Sequence, residues 1–351
     1  MGLFDDMLEG GQSLFKDEVA LDYDFLPKTI PYREQEQQYV ATCMKPLFSG
    51  RSGRNLFIHG PPGIGKTAAV RHVLRELEEK TDEIAPVFVN CWQYNTSYKI
   101  MVEICEQLGY RFTQNKKTTE LFKIATQLLN KQSAVLVFDE IDKAEDFDFL
   151  YVLIEEVYRK SIFLITNFQS WLLELDDRIR SRLMAELLEF KQYNATETSG
   201  ILKERMGYAF IPGTWDDKAM EMVIDKTASI KDIRSGLFLL RESATLAEDQ
   251  SRRKVMSEHV EKAIEKLDQF TSKKTDELDE ETKFILSIVR KSSGNRIGEL
   301  FKEYEKEGGK SSYKTFQRKI TKLEEGKYIN LTKKSGAGGN TTIVEKRLTD
   351  F

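Results

Sequence analysis

The chain has little of what cross-links or interrupts a protein: seven prolines, three cysteines and three tryptophans among 351 residues. So few prolines, with 21 glycines, exclude collagen-like and low-complexity classes. Cys43, Cys91 and Cys105 stand at no metal-binding spacing, and their odd number gives no disulfide framework. That usage points to a reducing cytoplasm. No apolar run approaches the ~20 residues that cross a bilayer, so no membrane is expected as a partner. The opening residues, MGLFDDMLEGGQSLFKDEV, are acidic and lack the basic stretch and apolar core of a secretory signal. With 40% hydrophobic and 31% charged residues, the composition argues against a largely disordered chain, and the length suggests two or three domains of roughly 150 residues.

Net charge is small too, at −4, but it is unevenly placed. Residues 283–351 hold 16 Lys and Arg against 8 Asp and Glu, a surplus of +8 that leaves −12 for residues 1–282. Any nucleic acid held by simple attraction is therefore expected at the C-terminal end.

Residues 1–54 read as an irregular, largely polar lead-in. Short apolar runs then alternate with amphipathic stretches. Strands are predicted over 55–59, 86–90, 134–138, 161–166 and 185–190, with a helix over 66–80. This alternation is the signature of an α/β domain with a parallel sheet, assigned to residues 55–192. Strand signals then cease, and residues 193–270 read as a helical domain. TSKKTDELDEET (271–282) is polar enough for a linker. Residues 283–351 read as three helices and a Gly-tipped hairpin, a winged helix–turn–helix.

GPPGIGKT at positions 60–67 follows the first predicted strand and opens a helix, as a P-loop must. Its backbone, from Gly60, Pro61, Pro62 and Gly63 through Ile64 and Gly65, can turn N–H groups toward phosphates, helped by the helix N-terminus. Lys66 would bridge the β and γ phosphates of ATP, and the Thr67 hydroxyl would bind Mg²⁺. About 70 residues downstream, VLVFDEID places Asp139 at a strand end to hold Mg²⁺ through water. Glu140 beside it is placed to orient and deprotonate an attacking water, which favours hydrolysis. Asn167 ends the strand SIFLIT in the crevice of the sheet. It either senses the γ-phosphate and holds water, or caps the next helix.

In this order the elements resemble the AAA+ ATPases, and more narrowly the archaeal replication initiators of the origin-recognition and cell-division-cycle type. The resemblance runs over roughly residues 20–351. It includes LPKTIPYREQEQQ, the P-loop, VFVNCWQYNTSYKI, DEID, Asn167, LDDRIRSRL, KDIRSGLFLLRESATLAE and the winged helix. It implies an ATPase with ATP or ADP and Mg²⁺ as cofactors. Asn167 would be sensor 1, and Arg234 the sensor 2 arginine of the lid. The region around Pro31–Arg33, with Tyr32 and Arg33, would lie near the adenine. Arg182 best matches an arginine finger offered to a neighbouring subunit, with Arg178 and Arg180 as alternatives. All three can also be read as surface charges on a short helix.

Two positions depart from the family pattern. Lys231 stands where a glycine usually precedes the lid Asp-x-Arg, a change that bears on lid packing or nucleotide exchange. Between Asp142 and Ser161 there are only 18 residues for the helical insertion through which members of this family contact DNA.

In the winged helix, residues 312–326 are the expected recognition helix. Phe316, Ile320 and Leu323 recur at 3–4 spacing and should face the module's own core. Lys314, Gln317, Arg318 and Lys322 then point elsewhere. Arg318 and Gln317 are the base-reading candidates, because both can bond bidentately. Lys333 and Lys334, in a wing whose tip is 333–340, suit phosphate. The leading expectation is a cytoplasmic, nucleoid-associated initiator that binds origin DNA, recruits or loads the MCM helicase, and works beside paralogous subunits. The alternative is a DNA-binding regulator or mobile-element ATPase built from the same modules. A clamp-loader subunit would lack the basic winged helix, and a small-molecule kinase leaves it unexplained.

Overall fold

Short continuous apolar runs, buried at nearly every position, decide how the first layers form. The computed structural model describes residues 13–346 apart from 277, 293, 326–327 and 337–338. It divides into two units, Met1–His259 and Val260–Phe351. In the first, β1 (Leu56–His59), β2 (Ile84–Asn90), β3 (Ser133–Asp139), β4 (Lys160–Thr166) and β5 (Glu186–Glu189) form one parallel sheet in the order β2-β3-β4-β1-β5. The predicted strands are all present, with ends within two residues. Helix α1 (Glu34–Met44) precedes β1, and α2 (Lys66–Lys80) follows it. Helices α3 (Ser97–Gln107) and α4 (Thr118–Leu129) link β2 to β3, α5 (Asp148–Glu156) links β3 to β4, and α6 (Trp171–Glu174) and α7 (Asp177–Leu183) lead to β5.

Successive side chains of a strand point to opposite faces, and here both faces are covered. Leu56, Ile58, Val135, Val137 and Phe163 pack with α1 and α2. Phe57, Leu136, Phe138, Ile162 and Leu164 pack with α3, α4 and α5. Four further helices complete the first unit or leave it: α8 (Ala195–Ala209), α9 (Asp217–Ile230), α10 (Ile233–Asp249) and α11 (Ser257–Asp276). Asn194, Asp216 and Asp232 cap the first three by accepting hydrogen bonds from backbone N–H groups of the first turn.

Two expectations are corrected, for the lead-in and the linker. The lead-in is not irregular: α1 occupies residues 34–44, and Val40, Cys43 and Met44 are buried against the sheet. Upstream of it, residues 13–25 are tied to the lid, through Lys16 N–H to Ala209 O and Arg205 to Ala20 O and Phe25 O. Residues 26–33 are tied to α2 and the P-loop, through His72 to Lys28 O and Arg33 to Ile64 O. The segment is a strap between two layers. The expected linker is largely helical, because α11 runs to Asp276 and Asp279 already caps the next helix. The short 143–160 segment is a core element, since Phe149, Leu150 and Leu153 of α5 are buried. The extra helix of this sheet lies between β2 and β3 instead.

The second unit has the order helix, strand, helix, helix, strand, strand of a winged helix. Its elements are α12 (Glu280–Lys291), β6 (Asn295–Arg296), α13 (Ile297–Lys306), α14 (Tyr313–Glu325), β7 (Ile329–Gly336) and β8 (Gly339–Lys346). The strands form an antiparallel sheet in the order β6-β8-β7. Phe316, Ile320 and Leu323 of α14 are fully buried with Ile285 and Val289 of α12, as their spacing predicts.

Lys231 does not reach the P-loop. It ends α9 in the left-handed region, φ +63°, with its N–H donating to Thr227 O at 2.8 Å and its side chain exposed. A glycine suits that position because a side chain there costs about 1–2 kcal/mol. Gly loses part of that advantage, about 0.5–1 kcal/mol, to its freer unfolded chain. Lys231→Gly is therefore expected to stabilise the lid by about 0.5–1 kcal/mol. Urea unfolding should show a higher midpoint at unchanged slope, and a lower midpoint would contradict the cap reading.

Candidate nucleotide site and nucleic-acid face

The C-terminal edge of the sheet gathers the phosphate chemistry, because the chain leaves every parallel strand on the same side. Gly63 and Gly65 take φ +71° and +85°, which turns the P-loop so that α2 begins at Lys66. The lid closes on this loop: Ile233 N–H donates to Gly63 O at 3.3 Å. A Cβ on Gly63 would lie 1.9 Å from Asp232 Oδ1, so only glycine fits beneath the cap of α10.

Lys66 is 7% exposed. Its Nζ donates to Gly60 O at 2.7 Å, Pro61 O at 2.8 Å and Asn167 Oδ1 at 2.7 Å. Burial pulls the ammonium down to about 8, with the Asp139 carboxylate opposing. Asn167 thus points into the crevice and bonds Lys66, and the next helix begins four residues later at Trp171. Thr67 Oγ1 donates to Asp139 Oδ2 at 2.8 Å. A hydroxyl and a buried carboxylate side by side form a hard oxygen pair that fits Mg²⁺, which takes one or two protein ligands and completes its shell with phosphate and water. Burial pushes the carboxyls of both Asp139 and Glu140 up, and Asp139 adds to the effect on Glu140. Glu140 itself adopts φ +52° and ψ +43°. A non-glycine residue held there is the kind of local cost that clusters at functional sites.

These groups line one cavity of about 330 Å³, together with Ile64, Arg234 and residues of the strap. Arg234 lies near enough to lower the Lys66 ammonium. The strap contributes Leu26, Pro27, Ile30 and Pro31 but not Tyr32 or Arg33. Both assignments near the base are therefore corrected. Tyr32 turns at φ +64° and lies against Gly200. Arg33 is 4% exposed and faces the back of the P-loop, donating to Ile64 O and Lys191 O, pairing with Glu36 and stacking 4.0 Å from the Tyr193 ring centroid.

The sequence reading missed Arg71, Tyr193 and the α8 residues Ile201, Glu204 and Arg205 on the cavity wall. Arg71 was findable, since it stands four residues after Thr67 on the same helix. The α8 residues carry no local signal.

Arg182 lies outside the cavity, paired with Glu155 and 5.6 Å from the Tyr151 ring centroid. Arg180 pairs with Asp177, whereas Arg178 is 80% exposed and 3.5 Å from Asp176.

In the second unit, Lys314, Gln317, Arg318 and Lys322 of α14 are exposed, opposite the buried face. Lys319 is not available to a ligand: its Nζ bonds Asp279 and lies 3.3 Å from Glu281. Lys333 and Lys334 fall in β7, and their side chains lie outside the described residues. So does part of the wing tip, at 337–338. No helix among the described residues is long and apolar enough to cross a membrane.

The Lys66 ammonium must be charged to meet phosphate, and it loses its proton near pH 8 when no phosphate faces it. Nucleotide affinity is therefore expected to be level below pH 7 and to fall as pH rises through about 8. Titration calorimetry between pH 6.5 and 9.5 checks this, and proton uptake should accompany binding in the upper half of the range. Lys66→Ala should abolish binding at every pH, and near-normal affinity in that variant would refute the assignment.

Two family models match the chain: an AAA domain over residues 50–174 and a Cdc6 AAA+ ATPase-type lid domain over residues 199–265. The ORC1-type DNA replication protein 1 of Archaeoglobus fulgidus is 30% identical over 346 residues, covering 92% of this chain and 84% of the relative. Among solved structures, the Aeropyrum pernix ORC1 protein in complex with DNA is similar at a TM-score of 0.68 and 25% identity, over 95% of this chain and 93% of that one. The ADP form of the Aeropyrum pernix ORC2 protein shares the fold at a TM-score of 0.72 and 19% identity, over 95% of this chain and 94% of that one. The chain belongs to the ORC1-type DNA replication proteins, an AAA+ module with a Cdc6-type lid carried on the same polypeptide as a winged helix.

Proposed function

We propose that the protein is an ATP-switched replication initiator that binds origin DNA and recruits or loads the MCM helicase at the nucleoid, with slow hydrolysis as the reset. The observation that carries this reading is a triad of exposed cations and one amide on α14, joined in one chain to a complete P-loop site. The similarity to an ORC1 protein solved in complex with DNA supports it.

In this reading Lys66 leaves the carbonyls of Gly60 and Pro61 to bond phosphate, while Asn167, already within reach of Lys66, reports the γ-phosphate. Thr67 and Asp139 would hold Mg²⁺, which would supply charge neutralisation at the phosphates. Glu140 orients the attacking water and takes its proton, a task suited to a carboxyl whose affinity for protons is raised. Arg234, at the start of α10, brings positive charge from the lid, so lid position and nucleotide state are linked. Such a switch works only if ATP binds two conformations with different affinity. Arg182 serves a neighbouring paralogous subunit once it leaves Glu155.

On DNA, α14 enters the major groove, with Arg318 and Gln317 reading bases and Lys314 and Lys322 meeting phosphates. Lys333 and Lys334 would add backbone contacts from the wing.

Arg318→Ala is expected to weaken binding to the specific site by about 1–3 kcal/mol and to spare random duplex. Equal loss on both would reduce Arg318 to a phosphate contact. The site itself is found by retaining sheared genomic DNA on the protein with ATP at physiological salt, then sequencing it. A few sharp intergenic peaks are expected. Scattered promoter peaks would identify a regulator instead.

A further inference from the structure

The cavity over the P-loop has two chemically different ends. Gly63 to Thr67 form one; the strap and lid form the other, where Leu26, Ile30, Pro31, Ile201 and Leu237 are apolar, Asp24, Thr29 and Glu204 are polar, and Arg205 is committed to Ala20 O and Phe25 O. With the phosphates at the P-loop, the base belongs against those apolar residues, and the few polar groups there decide which base is held. Glu204 Oε1 accepts hydrogen bonds from Thr29 Oγ1 at 2.8 Å and from the Tyr208 hydroxyl at 3.2 Å. One donor comes from the strap and the other from the next turn of α8, so the carboxylate is held in orientation from both sides. Among the described residues no donor reaches Oε2.

We infer that Glu204 is the base-selecting residue, its Oε2 accepting a hydrogen bond from the 6-amino group of adenine; the inference rests on the nucleotide site proposed above. A single open acceptor matches a single exocyclic donor. Guanine offers an adjacent N1–H and 2-amino pair, which needs two acceptors side by side, and here Oε1 is already occupied by two hydroxyls. A 6-keto purine turned the other way would set its oxygen lone pairs against the carboxylate. A site built around a charged acceptor rejects a ligand lacking the donor, because the acceptor is then desolvated with nothing in return.

The test is equilibrium binding of ATP, purine riboside triphosphate and GTP to the full chain, to Glu204→Ala and to Lys66→Ala. Purine riboside triphosphate lacks only the amino group. The wild type is expected to prefer ATP over both others by about tenfold or more. In Glu204→Ala that preference should collapse to near unity, whatever the variant's overall affinity. The ratio is the readout, since loosening the strap would weaken all three nucleotides together. A wild type that binds purine riboside triphosphate as tightly as ATP, or GTP more tightly, overturns the proposal even if the variant fails to fold. An unchanged ratio in a folded Glu204→Ala overturns it as well. If the wild type binds no triphosphate and Lys66→Ala behaves identically, the nucleotide site itself falls, and the base assignment with it.

Discussion

The site depends on keeping one ammonium group charged while it is almost wholly buried. Desolvating a lysine disfavours its cation, and Lys66 is pulled far enough to titrate near pH 8. What holds it charged at neutral pH is a set of acceptors from different parts of the chain. Two are P-loop carbonyls, one is the amide of Asn167 at the end of β4, and the field of Asp139 at the end of β3 adds to them. The sheet order β3-β4-β1 sets these strand ends side by side. Any shift in register would withdraw an acceptor and leave a buried cation short of partners, so the fold and the charge state of the site constrain each other.

The same economy governs Arg33. A buried guanidinium is expensive unless its donors are used, and this one spends them on Ile64 O, Lys191 O and Glu36 while stacking on Tyr193. It fixes the back of the P-loop while the residues just before it line the front of the cavity. The strap therefore touches two layers at once: residues 13–25 bond the lid, and residues 26–33 bond α2 and the P-loop while Thr29 also reaches Glu204 of α8. A base seated against Leu26 and Ile30 would touch the segment that joins the lid to the sheet.

What was legible in the sequence was local. GPPGIGKT, DEID and Asn167 sit at strand ends, and strand ends announce themselves through apolar runs that stop. Phe316, Ile320 and Leu323 announced the buried face of α14 in the same way. What was not legible depends on contacts between distant positions. The strap reads as polar because half of each turn faces solvent, and its partners on α8 are some 180 residues away, as with Arg205 and Phe25. Tyr32 and Arg33 were assigned to the base by resemblance, but the left-handed turn at Tyr32 and the start of α1 rotate both away from the cavity. Glu204 lines the cavity from α8, and nothing in its neighbouring residues marks it.

Charge counting met a similar limit in the winged helix. The C-terminal surplus is real, but charge contributes to DNA binding only where it is presented. On α14, Lys319 is spent on Asp279 and Glu281, and that cluster also takes in Thr282, Tyr304 and Ser311. Bonds from Lys319 and Thr282 hold the Asp279 carboxyl far below the usual range, so the group stays ionised and the lysine stays committed. The cluster joins the start of α12 to the middle of α14 and fixes which face of that helix turns outward. Lys319 thus acts on α14 by orientation and not as a free charge. It holds in place the helix whose exposed face carries Lys314, Gln317, Arg318 and Lys322.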